Sequence, residues 1–378
     1  MIEPIASRPS RHWLTAPRLG DVAIGRHNNF NLIRFLAASM VIVYHGYCIA
    51  RTPGSIEPIN WLTRGRDDGG SLAVLIFFII SGFLVTQSFV SRGGDLLAFM
   101  SARVLRIFPA LWVAVPFTII VASFASPVPW GAYLTHAQTL KYWLHNSFLW
   151  NLEFNLPGAF RHTPLVGNVN GSIWTLPTEF GMYLLCAGLG LLGLYLVRSV
   201  FNAFLLTVLM AAAMTKVEAL PFINSIWAAQ WALAFLAGMF CYMNRHEIRL
   251  SIPFALLLVA STYFIRNPIM GRFYILPALA YATLCFSLHP AVFFKPFTRL
   301  GDYSYGLYIY AFPLQQQMVF YHPGINWIKS IVLTYPIILG VAILSWHLVE
   351  KPALRLKKSF ERQRPGAPAE RKLVAATG

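Results

Sequence analysis

Runs of about twenty apolar residues recur along the whole of this chain, and that recurrence limits what it can fold into. A helix needs about 20 residues to cross the ~30 Å hydrocarbon core of a bilayer. Ten such helices are expected, at 29–50, 71–90, 104–126, 172–197, 199–215, 222–243, 250–266, 272–289, 301–321 and 325–348. Only 12% of the residues are charged and 57% are hydrophobic, whereas a soluble domain carries about a quarter charged residues. The fold class is therefore all-α integral membrane, with about ten transmembrane helices.

A net charge of +16 would point to nucleic acid in a soluble protein. Here it reads as topology, and no nucleic-acid partner is expected. Basic residues crowd the arm before the first run (Arg8, Arg11, Arg18, Arg26) and the tail after the last (Lys351, Arg355, Lys357, Lys358, Arg362, Arg364, Arg371, Lys372). The positive-inside rule puts both termini in the cytoplasm, which an even number of spans permits. Arg266 and Arg272 fall on the outer side and run against the rule. The chain divides into a cytoplasmic arm (1–28), a membrane domain (29–350) and a basic tail (351–378) expected to be disordered. Both ends are suited to anionic lipid headgroups. No apolar stretch precedes Asn28, so no cleaved signal peptide is expected.

The longest outer segment, 127–170, is rich in Trp, Asn, His and Pro and is the natural extracytoplasmic binding surface. Its histidines, His136, His145 and His162, lack a tight metal-ligand spacing, so no metal is expected. Cys48, Cys186, Cys241 and Cys285 lie singly in apolar runs and read as small core residues. Asn170 opens an NGS glycosylation sequon, but it abuts a helix. There is no phosphate-binding loop, dinucleotide fingerprint or internal repeat.

The first run, NLIRFLAASMVIVYHGYC, holds an arginine and a histidine eleven residues apart. Eleven residues turn a helix about 1,100°, some 20° past three full turns, and rise roughly 16 Å. Arg34 and His45 therefore share a face, and the short side chains of Ala38 and Val41 between them suggest a shallow groove. Ionisable groups inside a membrane are costly and usually face a cavity. Arg34 could instead snorkel to headgroups, and His45 could be a packed polar residue. The two together favour a site.

That stretch resembles the first helix of the membrane acyltransferase-3 family, whose signature is Arg, ten residues, then His. Further likenesses follow in order: FFIISGFLVTQSF (77–89), SARVLRIFPALW (101–112), GSIWTLPTEFGMY (171–183), RLGDYSYGLYIYAFPLQQ (299–316) and HLVEKPALR (347–355). The resemblance implies a multi-pass protein of the bacterial inner membrane. It would move an acyl group, usually acetyl, from cytoplasmic acetyl-CoA to a hydroxyl of an extracytoplasmic glycan or lipid-linked sugar. Acyl-CoA, membrane lipid and the sugar acceptor are then its partners, with polysaccharide-assembly proteins as further ones. The fused extracytoplasmic domain that some relatives carry is not expected here, which would leave acceptor recognition to loops or a partner.

Carried over residue by residue, the resemblance assigns Arg34, Arg103 and Arg106 to the CoA phosphates, which suit forked guanidinium donors. His45 becomes the general base, or alternatively a covalent acyl carrier. Glu179 orients His45 or binds acceptor hydroxyls. Ser81, beside Gly82, leaves room for a ligand arm or lets helices approach closely. Trp174 and Tyr305 face the acceptor, although Trp174 suits an interfacial belt equally well and Tyr303, Tyr305, Tyr308 and Tyr310 suit a core. Glu350, Lys351 and Pro352 read as a helix end. Two departures stand out: Leu75 and Ala311 occupy positions where many relatives carry an acid and a histidine. Glu57, Asp67 and Asp68 are the nearby acids that would replace the missing one, with a solvated loop as the alternative. A transporter using Arg34 as a substrate contact is the rival reading, which inverted repeats would favour.

Overall fold

The computed structural model describes residues 16–23, 27–214, 225–265 and 267–360. Among them there are helices and no strands. A long helix occurs at each expected position: α1 Phe30–Ile49, α2 Gly69–Ser91, α3 Leu96–Ser123, α4 Leu176–Leu191, α5 Arg198–Met214, α6 Ile226–Met243, α7 Ile252–Thr262, α8 Pro268–Leu288, α9 Ser304–Tyr321 and α10 Trp327–Ser345. Of the described helices α1, α2, α3 and α10, the last prolonged to Arg355, are long and apolar enough to cross a membrane. Residues 351–360 of the basic tail, expected to be disordered, are largely helical, because α10 runs on into them; the rest of that tail and most of the amino-terminal arm lie outside the described residues.

Two boundaries differ most from expectation, by eight and six residues. α3 begins at Leu96 rather than 104, because the Asp95 carboxylate accepts from Ala98 N at 3.0 Å and caps an extra two turns. Arg103 and Arg106 therefore sit inside the helix, not at its mouth. α4 stops at Leu191, where the chain reverses through Gly193 at φ 75°.

The closest helix contact joins α2 and α6, and two glycines allow it. A Cβ added at Gly82 would lie 2.0 Å from Phe235 O, and one at Gly238 would lie 2.1 Å from Ile79 O. Backbones this close stack Phe78 on Trp231 (ring centroids 5.8 Å apart) and bring Phe83 edge-on to Tyr242 at 5.5 Å. The SGF stretch thus splits its duties: Gly82 serves helix approach, while Ser81 lines a cavity.

α9 is buried on nearly every side, packed among α1, α3 and α10. Inside protein it can carry polar groups that lipid would penalise. Gln315 Nε2 donates to Ile42 O at 2.8 Å, and Gln316 Nε2 to Leu165 O and Asn168 O at 2.9 and 2.7 Å. Pro313 lacks the N–H that would pair with Ile309 O. The side chain of Asn170 donates to that carbonyl instead, at 2.9 Å. Asn170 is thereby buried, which removes the NGS sequon from consideration.

The 127–170 segment is partly helical, at Trp130–Thr135 and Ala137–Ser147, and it leans on α3 through Trp112 Nε1 to Ser147 O at 3.0 Å. At the Arg34 end of the bundle, residues 17–20 bond to the loop after α6: Leu19 N to Ile248 O and Gly20 N to Arg245 O, both 2.8 Å. This gathers Arg18, Arg245 and Arg249 at one end. The four cysteines are free.

Candidate active site

Two cavities lie along the bundle, and the residues singled out in the sequence divide between them. The larger, about 400 Å³, is lined by Arg34, Arg92, Arg103, Arg106 and Lys357 against the carboxylates of Glu179 and Asp302. Five cations face two anions, an environment that attracts negative charge.

Asp302, just before α9, organises this cavity. Its Oδ2 accepts from Arg106 at 2.7 Å and from Arg34 at 3.2 Å, while Ser304 Oγ donates to Oδ1 at 2.5 Å. Arg106 also lies 3.6 Å from Glu350 Oε2. Glu350 is 2% exposed and takes a hydrogen bond from Ser345 Oγ at 3.0 Å. Expected as a helix end, it is instead inside one: a π turn over Trp346–Glu350 carries α10 past Pro352 to Arg355. Such wider turns re-aim side chains and recur at functional sites.

Arg103 is held differently. Its guanidinium lies 5.8 Å from the Phe99 ring and 5.6 Å from the Tyr183 ring, with Ser88 Oγ at 3.5 Å. Among the described residues no carboxylate pairs with it, and its Nε is buried without a partner. Glu179 accepts from Tyr183 OH at 2.5 Å and from Ser81 Oγ at 3.5 Å. It belongs to the arginine cavity, and neither of these bonds orients His45 as the sequence reading allowed. Tyr305 also lines this cavity, with Arg106 5.6 Å from its ring and its hydroxyl donating to Ile107 O at 3.0 Å.

Removing Asp302 leaves two partly buried arginines facing each other. Breaking a buried ion pair from one side costs about 3–5 kcal/mol. Asp302→Ala is therefore expected to lower the midpoint of thermal unfolding in detergent well below that of the native protein. An unchanged midpoint would mean that solvent already screens the pair.

The second cavity, about 260 Å³, contains His45 with Tyr44, Asp68, Ser71, Trp174, Trp227 and Trp231. The imidazole edge meets the Phe312 ring at 5.0 Å, and His45 Nδ1 is buried without a hydrogen-bond partner. Trp174 stands edge-on to Trp231 with centroids 4.6 Å apart. Asp68 caps α2 through Ser71 N at 2.7 Å and still faces this cavity, whereas Glu57 is buried, capping the short helix Pro58–Leu62.

The groove expected between Arg34 and His45 is closed at Ala38, while Val41 lines the histidine cavity. Ala38 is fully buried in a cluster with Leu307, Ile338 and Ala342 of α9 and α10. What joins the two cavities is another pair, Val74 of α2 and Tyr308 of α9, which line both. Leu75 and Ala311 are packed in the core. Asp302 and Trp231 were not singled out from sequence. The GD before SYGLY was a usable signal for Asp302, since acids number only 14 in the chain.

A basic cavity set against an aromatic cavity with a histidine, inside an apolar helical bundle, suits group transfer within a membrane. A family model described as an acyltransferase domain matches residues 27–349, and the chain belongs to that family, the acyltransferase-3 proteins. It is similar to the O-acetyl transferase of Shigella phage Sf6, 29% identical over 345 residues, spanning 86% of this chain and 96% of the relative. It is also similar to Nodulation protein 10 of Rhizobium leguminosarum bv. viciae, 28% identical over 380 residues, spanning 90% and 96%. No solved structure matches.

Proposed function

We propose that this membrane acyltransferase moves an acetyl group from cytoplasmic acetyl-CoA to a hydroxyl of an extracytoplasmic glycan or lipid-linked sugar, from the bacterial inner membrane. The observation that carries this reading is the pair of cavities of opposite character meeting at Val74 and Tyr308. Arg103, with Arg34 and Arg106, holds the polyanionic donor, because forked guanidinium groups suit phosphate oxygens. The tryptophans and Asp68 offer what a sugar needs: flat apolar faces and a hydroxyl acceptor. His45, with a buried nitrogen that has no partner, stands on the acceptor's side.

As the sugar oxygen attacks the thioester carbon, His45 takes the hydroxyl proton. The C–O bond forms, the C–S bond breaks, and the proton passes to the departing CoA thiolate. An imidazole is suited to this because its ring nitrogens can both take and give a proton.

Arg103 tests the donor half. It makes no ion pair among the described residues, so its loss breaks no charged network. A hydrogen bond to a charged group contributes about 1.5–3 kcal/mol, so Arg103→Ala should raise KM for acetyl-CoA roughly 10- to 100-fold. A KM equal to that of the native protein would move the phosphates elsewhere.

The test of the whole reading compares cells with and without the protein, scoring base-labile acetyl on the surface polysaccharide by proton NMR. Acetyl present only with the protein supports transfer. Identical acetyl in both, together with no CoA thiol released from acetyl-CoA by the purified protein, would sink it. Polysaccharide failing to reach the surface would favour transport.

A further inference from the structure

Val74 and Tyr308 are the residues common to the two cavities, and both are almost fully buried. On α2, Val74 stands between Ser71, which lines the histidine cavity alone, and Ser81, which lines the arginine cavity alone. On α9, Tyr308 closes the stripe begun by Ser304 and Tyr305. The same level is thus crossed on two helices by one side chain each.

The partition is braced. Tyr308 OH and Thr175 Oγ1 are 2.7 Å apart and share a hydrogen bond, and the Phe77 ring meets the Tyr308 ring edge-on at 6.0 Å. A buried, hydrogen-bonded tyrosine does not swing aside without leaving a polar group unpaired. The valine opposite is β-branched and stiff at its first torsion. The boundary shared by the two cavities is therefore stiff on both helices.

We infer that Val74 and Tyr308 form a size filter for the acyl group, admitting acetyl and rejecting longer chains. This rests on the acyl-transfer reading and goes beyond it by naming the residues that set acyl length. On that reading the donor's phosphates lie at the arginines and the acceptor at His45, so the acyl carbon has to cross the boundary that these two residues line. One surplus methylene in a tight apolar passage changes selectivity by about 10- to 200-fold, so the filter distinguishes acetyl from butyryl without any further contact.

The experiment measures the ratio of kcat/KM for butyryl-CoA to that for acetyl-CoA in the purified full-length protein, with its surface glycan as acceptor. Val74→Ala removes two methyl groups and is expected to raise the ratio by about tenfold or more. Val74→Ile adds one methylene and is expected to lower propionyl use relative to acetyl. A purely structural valine would change both donors together and leave the ratios where they were. Ratios unchanged in both variants while acetyl transfer continues would overturn the filter and leave the enzyme reading standing. If the native protein releases thiol from no acyl-CoA, the enzyme reading falls and the filter falls with it.

Discussion

Cells carrying His45→Ala are expected to lose acyl transfer by about 10²–10⁴-fold, the range a general base contributes, while keeping the protein in the membrane at native levels. The two halves of this expectation come from separate observations. The side chain lines the cavity that also holds Asp68 and the three tryptophans, so its loss removes the only imidazole that the described residues place there. Its Nδ1 has no hydrogen-bond partner, so the change breaks no such bond at that atom. Alanine is also the better helix former within α1. The ring contacts with Phe312 and Tyr44 are given up, each at a cost of about 0.5–1.5 kcal/mol. Base-labile acetyl on the glycan, measured by proton NMR at matched expression, reads the outcome. Acetyl at the native level would make His45 a packing residue and move the proton acceptor elsewhere.

Gly82→Val is expected to abolish folded protein altogether. The first carbon of the new side chain would lie 2.0 Å from Phe235 O and 2.8 Å from its carbonyl carbon, atoms of a helix backbone that cannot rotate away. Relief requires α2 and α6 to separate by more than an ångström, the order of the missing van der Waals distance. That would undo the Phe78–Trp231 stack and the Phe83–Tyr242 contact together. Interiors packed to crystal density do not absorb such a shift. Size-exclusion chromatography in mild detergent should show no monodisperse species. Gly340→Ala is the control, since nothing lies within 4 Å of the added carbon. A native elution profile for Gly82→Val would show that the two helices have slack the structure does not suggest.

The helices were legible because hydrophobicity is a local property: α1 and α2 begin and end within two residues of the expected bounds. α3 was not, because its first turns, LLAFM, follow a capping aspartate whose effect depends on backbone geometry. Arg34 and His45 could be placed on one face from helix geometry alone. What covers that face could not, since Leu307 and Ala342 arrive from helices more than 260 residues away. The reading of Glu179 as an orienter of His45 needed a lateral position that the sequence leaves free, and α4 turns its carboxylate toward Tyr183 and Ser81. Asp302 was missed for the same reason: its meaning lies in Arg34 and Arg106, 268 and 196 residues distant.

The repair of α9 at Pro313 bears on how the protein is made. A backbone carbonyl left bare in hydrocarbon costs several kcal/mol, so α9 entering lipid by itself would carry that burden at Ile309. Asn170, which relieves it, is translated 139 residues earlier and is anchored beside α3 and α4 by Thr118 and Ser172. α9 is therefore completed by being laid against chain that already exists. The ninth helix thus has its full set of backbone partners only in the presence of chain made before it.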